Sequence, residues 1–176
     1  MNIEKLKNSV RNVPDFPIPG IQFKDVTTLF KDAQILRELT DDLYEIYKDK
    51  GITKVVGIES RGFIIGPLLA VRLNAGFIPI RKPGKLPAAV YEETYSKEYG
   101  TDAIQVHKDA INQGEIVLLH DDLLATGGTM AAEVNLIRKF NPQKIYVNFI
   151  IELEDLKGRG AFDPDVQIDS IIKYAI

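Results

Sequence analysis

The 176-residue chain contains no cysteine, so neither a disulfide framework nor a thiolate nucleophile is available, and cysteine proteases and zinc fingers are excluded. Imidazole is nearly as scarce, with His107 and His120 as the two histidines. Long apolar runs are also missing. The longest reach about a third of the roughly 20 residues a membrane-spanning helix needs, and the polar stretch Met1 to Asn12 lacks the apolar centre of a signal peptide. A soluble, cytoplasmic protein with no membrane partner is the expectation. Nor is there an excess of positive charge: 22 lysines and arginines face 25 aspartates and glutamates, a net charge of −3. That balance gives no overall attraction to nucleic acid, so any bound phosphate must be met by local groups. No internal repeat or low-complexity segment is present. A content of 45% hydrophobic and 27% charged residues is ordinary for a folded globular chain, and the length fits one domain, 1–176.

Ile3, Leu6 and Val10 recur at helical spacing, and the prolines between Pro14 and Gly20 then force an extended arm. Asp32 is a plausible N-cap for a helix whose buried face reads Ile35, Leu36, Leu39, Leu43, Ile46 and Tyr47, closed by Gly51. Short apolar runs at 55–58, 77–80, 116–119 and 144–151 read as strands. Helices are expected at 63–73, apart from an interruption at Gly66-Pro67, and at 130–140, ended by Asn141-Pro142. Strands and helices alternating over short connections imply an α/β fold with a parallel sheet covered by helices on both faces. Between Lys82 and Asp109 the pattern changes to a polar, tyrosine-rich excursion with hairpin arms at 89–95 and 103–106. Long excursions of this kind are commonly functional lids.

Val117-Leu-Leu-His-Asp-Asp-Leu-Leu-Ala-Thr-Gly-Gly-Thr129 is the most informative stretch. An apolar strand delivers Asp121 and Asp122 and leads through small residues into a helix. Gly127 and Gly128 allow close backbone approach, Thr126 and Thr129 add hydroxyls, and the helix start attracts an anion. Two carboxylates beside such a cradle repel phosphate but accept hydrogen bonds from sugar hydroxyls, so a phosphorylated sugar fits. Glu59-Ser-Arg-Gly62 also joins a strand to a helix and should lie on the same rim, with Arg61 as a permanent cation. Arg81, Lys82 and Lys85 add three cations in five residues after the next strand. His120 reads as a packed core histidine.

The thirteen-residue run resembles the phosphoribosyl-pyrophosphate motif of the type I phosphoribosyltransferase family, and the resemblance extends in unbroken motif order from about Val13 to Arg159. It implies that Asp121 and Asp122 contact the ribose and that Ala125, Thr126, Gly127, Gly128 and Thr129 hold the 5-phosphate. It implies a pyrophosphate loop at Glu59, Ser60 and Arg61, with a cis peptide at Glu59-Ser60. Arg81, Lys82 and Lys85 would serve pyrophosphate as well, Arg81 by reaching the neighbouring subunit of a homodimer. Gly20 to Thr28 resembles the hood of the family's adenine-using members, which implies adenine held by Gln22, Phe23 and Lys24, with Leu153 on its other face. The hood would comprise residues 13–28 and 152–162. A lid at 88–108 would carry Glu98, managing the purine proton, beside Tyr99. Magnesium, bridging substrate oxygens with no direct protein ligand, is the implied cofactor. Asp121, Asp122, Arg61 and Glu98 are the implied catalytic groups, with adenine and phosphoribosyl pyrophosphate as substrates. Two alternatives stay open: a transferase for another base, or a regulator that senses phosphoribosyl pyrophosphate to control nucleic-acid binding.

Overall fold

The computed structural model describes residues 2–96 and 100–175. In chain order the elements are α1 (Ile3–Ser9), β1 (Arg11–Pro14), β2 (Gln22–Asp25), α2 (Thr27–Phe30), α3 (Ala33–Tyr47), β3 (Lys54–Ile58), α4 (Gly62–Arg72) and β4 (Gly76–Ile80). They continue with β5 (Val90–Ser96), β6 (Thr101–His107), β7 (Ile116–Leu124), α5 (Gly128–Arg138), β8 (Lys144–Leu153) and β9 (Gln167–Tyr174). Two 3-10 turns, Glu154–Leu156 and Gly158–Ala161, lie between β8 and β9. The fold is α/β. The described residues form a five-stranded sheet in the order β4-β3-β7-β8-β9, parallel throughout.

Each face of the sheet has its own core. On one face Leu39, Leu43 and Tyr47 of α3 and Ile65 and Leu69 of α4 pack with Val55 and Leu118. On the other, Met130, Val134 and Ile137 of α5 and Ile104 and Val106 of β6 cover Val56, Val117 and Leu119. Alternate residues of β3 and β7 thus serve opposite faces, the period of two expected of a strand. Asp32 caps α3, accepting from the backbone N–H groups of Gln34 at 2.9 Å and Ile35 at 3.0 Å, which satisfies two of the orphan donors at a helix start.

Two expectations are corrected and one strand is added. Pro14 to Gly20 is not a plain extended arm: β1 and β2 form an antiparallel ribbon in the register Arg11↔Asp25 to Pro14↔Gln22, with the prolines confined to its end and turn. Gly66-Pro67 does not interrupt α4, which runs through Pro67. An internal proline costs a helix about 3 kcal/mol, and the burial of Ile65, Leu69 and Ala70 on the sheet offsets it. The tail after Phe162 supplies a fifth strand, β9, whose Ile171 and Ile172 are buried.

Candidate active site

The carboxyl ends of β3 and β7, and the helices that follow them, carry most of the residues singled out above. Gly57 and Gly62 let α4 start hard against the sheet. A Cβ at Gly57 would lie 2.5 Å from the Gly62 carbonyl oxygen, and one at Gly62 would lie 2.9 Å from that of His120. This contact sets Arg61 beside β7, where its Nε–H donates to Asp122. Burial works against the Arg61 charge, but Asp122 beside it outweighs that and raises its pKa, with help from Asp121 and Asp25. Glu59 and Ser60 are joined by a cis peptide bond.

β7 continues through both aspartates to Leu124, so the carboxylates stand on the sheet itself, and its alternation divides them between two cavities. The first, of about 270 Å³, is lined by Glu59, Lys82, Asp121 and the whole run from Leu123 to Met130. Ala125, Thr126, Gly127, Gly128 and Thr129 thus share one concavity with Asp121. Gly127 has φ +83° and stands at the N-cap of α5, which makes no side-chain capping bond. A Cβ there would lie 2.3 Å from the Gly158 carbonyl oxygen, so the loop presses on the 158–161 turn through bare backbone. The first amides of α5, without intrahelical partners, border the cavity as donors for an anion.

The second cavity, of about 370 Å³, is lined by Val13, Phe16, Phe23, Lys24, Asp25, Val26, Thr27, Arg61 and Asp122. Phe16 and Phe23 meet edge to face with ring centroids 5.1 Å apart. Asp25 accepts from the Thr27 hydroxyl and from Arg11, which hold its carboxyl down at about 2. The Arg61–Asp122 pair belongs to this cavity, while Asp121, the next residue along β7, belongs to the first.

The cations after β4 are engaged within the chain. Arg81 Nε–H donates to Glu59, whose pKa is lowered chiefly by that bond. That bond lies within the chain. Burial opposes the charge of Lys82, but its bonds to Asp102 and to Tyr95 raise its pKa on balance. Lys85 is exposed and lies outside the first cavity, although its charge reaches Glu59. Ser60 is exposed and lines neither cavity. Gln22 is exposed, its side-chain oxygen accepting from Asn12 at 2.6 Å. Lys24 Nζ donates to Asn12 at 3.0 Å and sits 4.6 Å above the Tyr174 ring centre. Leu153 packs into the α3/α4-side core and does not line the second cavity. Glu98 and Tyr99 lie outside the described residues.

His120 is buried, as expected of a core histidine, with Nδ1 2.9 Å from Asn148 Oδ1. Burial lowers its pKa, so the ring is neutral. Its Nε2 has no hydrogen-bond partner among the described residues. Sequence reasoning gave no role to Phe16 or Asp25, although both sit inside quoted motifs. Their signal was a second aromatic beside the ribbon and an acid two residues before a threonine. Tyr95 and Phe149 of the first cavity come from distant elements and had no local signal.

A polar cradle at a helix start, two acids at the end of a central strand and an aromatic pocket next to them define a site for a phosphorylated sugar and a flat partner. Residues 25–173 match the model of the phosphoribosyl transferase domain, and the chain belongs to that family. Within it the chain is 68% identical over 174 residues to the adenine phosphoribosyltransferase of Bacteroides fragilis, covering 98% of each chain. Among solved structures, the adenine phosphoribosyltransferase of Rhodothermus marinus is similar at 47% identity with a TM-score of 0.91, covering 98% of each chain. The Saccharomyces cerevisiae adenine phosphoribosyltransferase, complexed with adenine and D-2,5-dideoxy-2,5-imino-altritol 1,6-bisphosphate, is similar at 37% identity with a TM-score of 0.91, over 97% of this chain and 98% of that one. Among the described residues no helix is long and apolar enough to cross a membrane.

Proposed function

We propose that this chain transfers the 5-phosphoribosyl group from 5-phospho-α-D-ribose 1-diphosphate to N9 of adenine, giving AMP and diphosphate. The observation that carries the reading is the pair of cavities lined by adjacent aspartates, one with Asp121, polar and built on a helix start, the other with Asp122 and walled by Phe16 and Phe23. The family match and the adenine enzymes among the relatives support it.

In this reading the backbone from Ala125 to Thr129 holds the 5-phosphate, and the two aspartates accept hydrogen bonds from the ribose hydroxyls. Substrate thereby replaces Asp122's bond from Arg61 and frees that guanidinium for the diphosphate. Lys82, Arg81 and Lys85 add positive charge on the same rim. As the bond from the anomeric carbon to diphosphate breaks, positive charge builds on the sugar and negative charge on the leaving group, and these fixed cations stabilise the latter. N9 bonds the anomeric carbon and its proton departs, a task assigned to Glu98. The excursion at 88–108 acts as a lid that keeps water from the reactive sugar.

Magnesium fits the first cavity, where no imidazole or thiolate competes with the oxygen groups that a hard cation prefers. Bound beside Glu59 and Asp121, it would supply charge stabilisation for the departing diphosphate. Residues 13–28 and 152–162 act as the hood of a single unit spanning the chain. A homodimer is supported by the exposed Leu68 and Val71 on α4, which line an open apolar hollow with Leu36.

Base choice is assigned to the backbone around Gln22 to Lys24. Adenine presents an amino donor beside the N1 acceptor, hypoxanthine presents the reverse, and each mismatched buried group costs roughly 1–3 kcal/mol. A steady-state comparison of adenine, hypoxanthine and guanine tests the reading. Adenine should exceed both by about a hundredfold in kcat/KM. Either rival within about tenfold of adenine overturns the base assignment.

A further inference from the structure

One ionisable group near the first cavity has no part in the chemistry above. Glu133 lies on α5, is fully buried, and neither of its carboxylate oxygens has a hydrogen-bond partner among the described residues. Its helix begins at the phosphate loop and packs on β7 and on the β5–β6 hairpin. The other charges around that helix have partners of their own. Glu92 accepts from Gln105, Glu93 pairs with Lys139, and Asp102 bonds Lys82. Arg159, on the 158–161 turn, pairs with Glu152. The hairpin also brings Tyr91, Tyr95 and His107. The charge that acts on Glu133 is that of Asp121, the carboxylate lining the first cavity.

We propose that Glu133 sets the alkaline limit for binding a phosphorylated sugar in the first cavity. As a neutral acid it leaves Asp121 as the carboxylate that β7 presents to the first cavity, and once ionised it adds a further negative charge on the helix that starts at the phosphate loop. The inference rests on the phosphate-site reading above and adds a residue that reading does not use. The physical basis is solvation. A carboxylate without water, hydrogen bonds or a counter-charge is strongly disfavoured, so a group in this position keeps its proton. Burial first, and the Asp121 charge second, push the Glu133 pKa well above the usual carboxylate range. Burial and then Asp122 push Asp121 the same way. Two such coupled carboxylates resist ionising together, and Asp121, which borders the cavity, is the better placed of the two to carry the charge. With rising pH the proton leaves Glu133, which lies on the helix that starts at the phosphate loop, about 7.5 Å along the axis from Gly128, and the added charge repels an arriving phosphate through the protein interior.

The test measures affinity for ribose 5-phosphate, a probe that needs neither base nor metal, from neutral to strongly alkaline pH in the wild type, in Glu133→Gln and in Glu133→Met. Lysines, tyrosines and the probe itself titrate alike in all three proteins, so the difference between them reports Glu133. The wild type should lose about tenfold or more in affinity relative to both variants at the alkaline end, and the three should agree near neutrality. Parallel loss in wild type and variants overturns the proposal. So does a neutral-pH infrared spectrum of the wild type with no protonated-carboxyl band, a measurement that stands even where the variants fail to fold. If ribose 5-phosphate binds none of the three at any pH, the phosphate-site reading itself fails, and the infrared band distinguishes that failure from an ionised Glu133.

Discussion

The two cavities take adjacent residues of β7, Asp121 in the first and Asp122 in the second, but are built by different means. Most of the first comes from one short stretch, Asp121 and Leu123 to Met130, with Ile58, Glu59, Lys82, Tyr95 and Phe149 completing it. The second gathers Val13 and Phe16, Phe23 to Thr27, Arg61 and Asp122 from separated parts of the chain. The first is polar, made largely of backbone and held by the sheet and the start of α5. The second is more apolar, and one wall is a two-stranded ribbon of four residues a side, a size that is marginal in isolation. A charged, invariant feature such as a sugar phosphate suits a rigid backbone cradle. A flat base whose identity must be discriminated suits side chains and backbone brought in from elsewhere.

Three sets of substitutions break or sharpen this contrast. Asp121→Asn combined with Asp122→Asn removes a carboxylate charge from each cavity and should lower turnover by roughly two orders of magnitude or more while the fold persists. Near-normal turnover in the double variant, with circular dichroism unchanged, sinks the role given to the pair. Gly127→Ala attacks the first cavity alone. The left-handed backbone and the 2.3 Å approach to the Gly158 carbonyl oxygen forbid a Cβ, so the loop must shift at a cost of about 2 kcal/mol. Denaturant titration should register that loss, and the KM for phosphoribosyl pyrophosphate should rise more than that for adenine. Equal rises in both would mean that the cavities are not separable.

The smallest effects belong to the second cavity. Phe23→Ala removes an aromatic wall worth about 1 kcal/mol beyond the area it covers, so the KM for adenine should rise roughly fivefold or more. The KM for phosphoribosyl pyrophosphate should stay put. Gln22→Ala is the companion control. Its exposed side chain bonds Asn12 of the same ribbon, so adenine preference should survive within about twofold if backbone reads the base. A switch of base preference in Gln22→Ala would move the reading from backbone to side chain.

Local chemistry explains why so much was legible beforehand. Short apolar runs identified β3, β4, β7 and β8, and Asp32 identified the start of α3, because each signal acts within a few residues of itself. The Thr126 to Thr129 loop was readable for the same reason: a strand, small residues and a helix start suffice to make an anion cradle. β9 escaped because Gln167–Tyr174 mixes polar and apolar residues and gains its place only by pairing with β8. Pro67 misled because helix propensity is weaker than burial on a sheet.

Residue order alone settled the α/β alternation, the glycine-threonine loop that opens α5 and the presence of acids and cations near one rim, since these follow from periodicity and from contacts within a motif. Tertiary structure decided the rest. It put Asp121 in one cavity and Asp122 in the other, Phe16 against Phe23, Arg81 on Glu59 and Leu153 in the core. It also buried Glu133 beside the charge of Asp121. The reason is that strand pairing and helix docking, set by packing across distant segments, determine which way each side chain points and what it meets there.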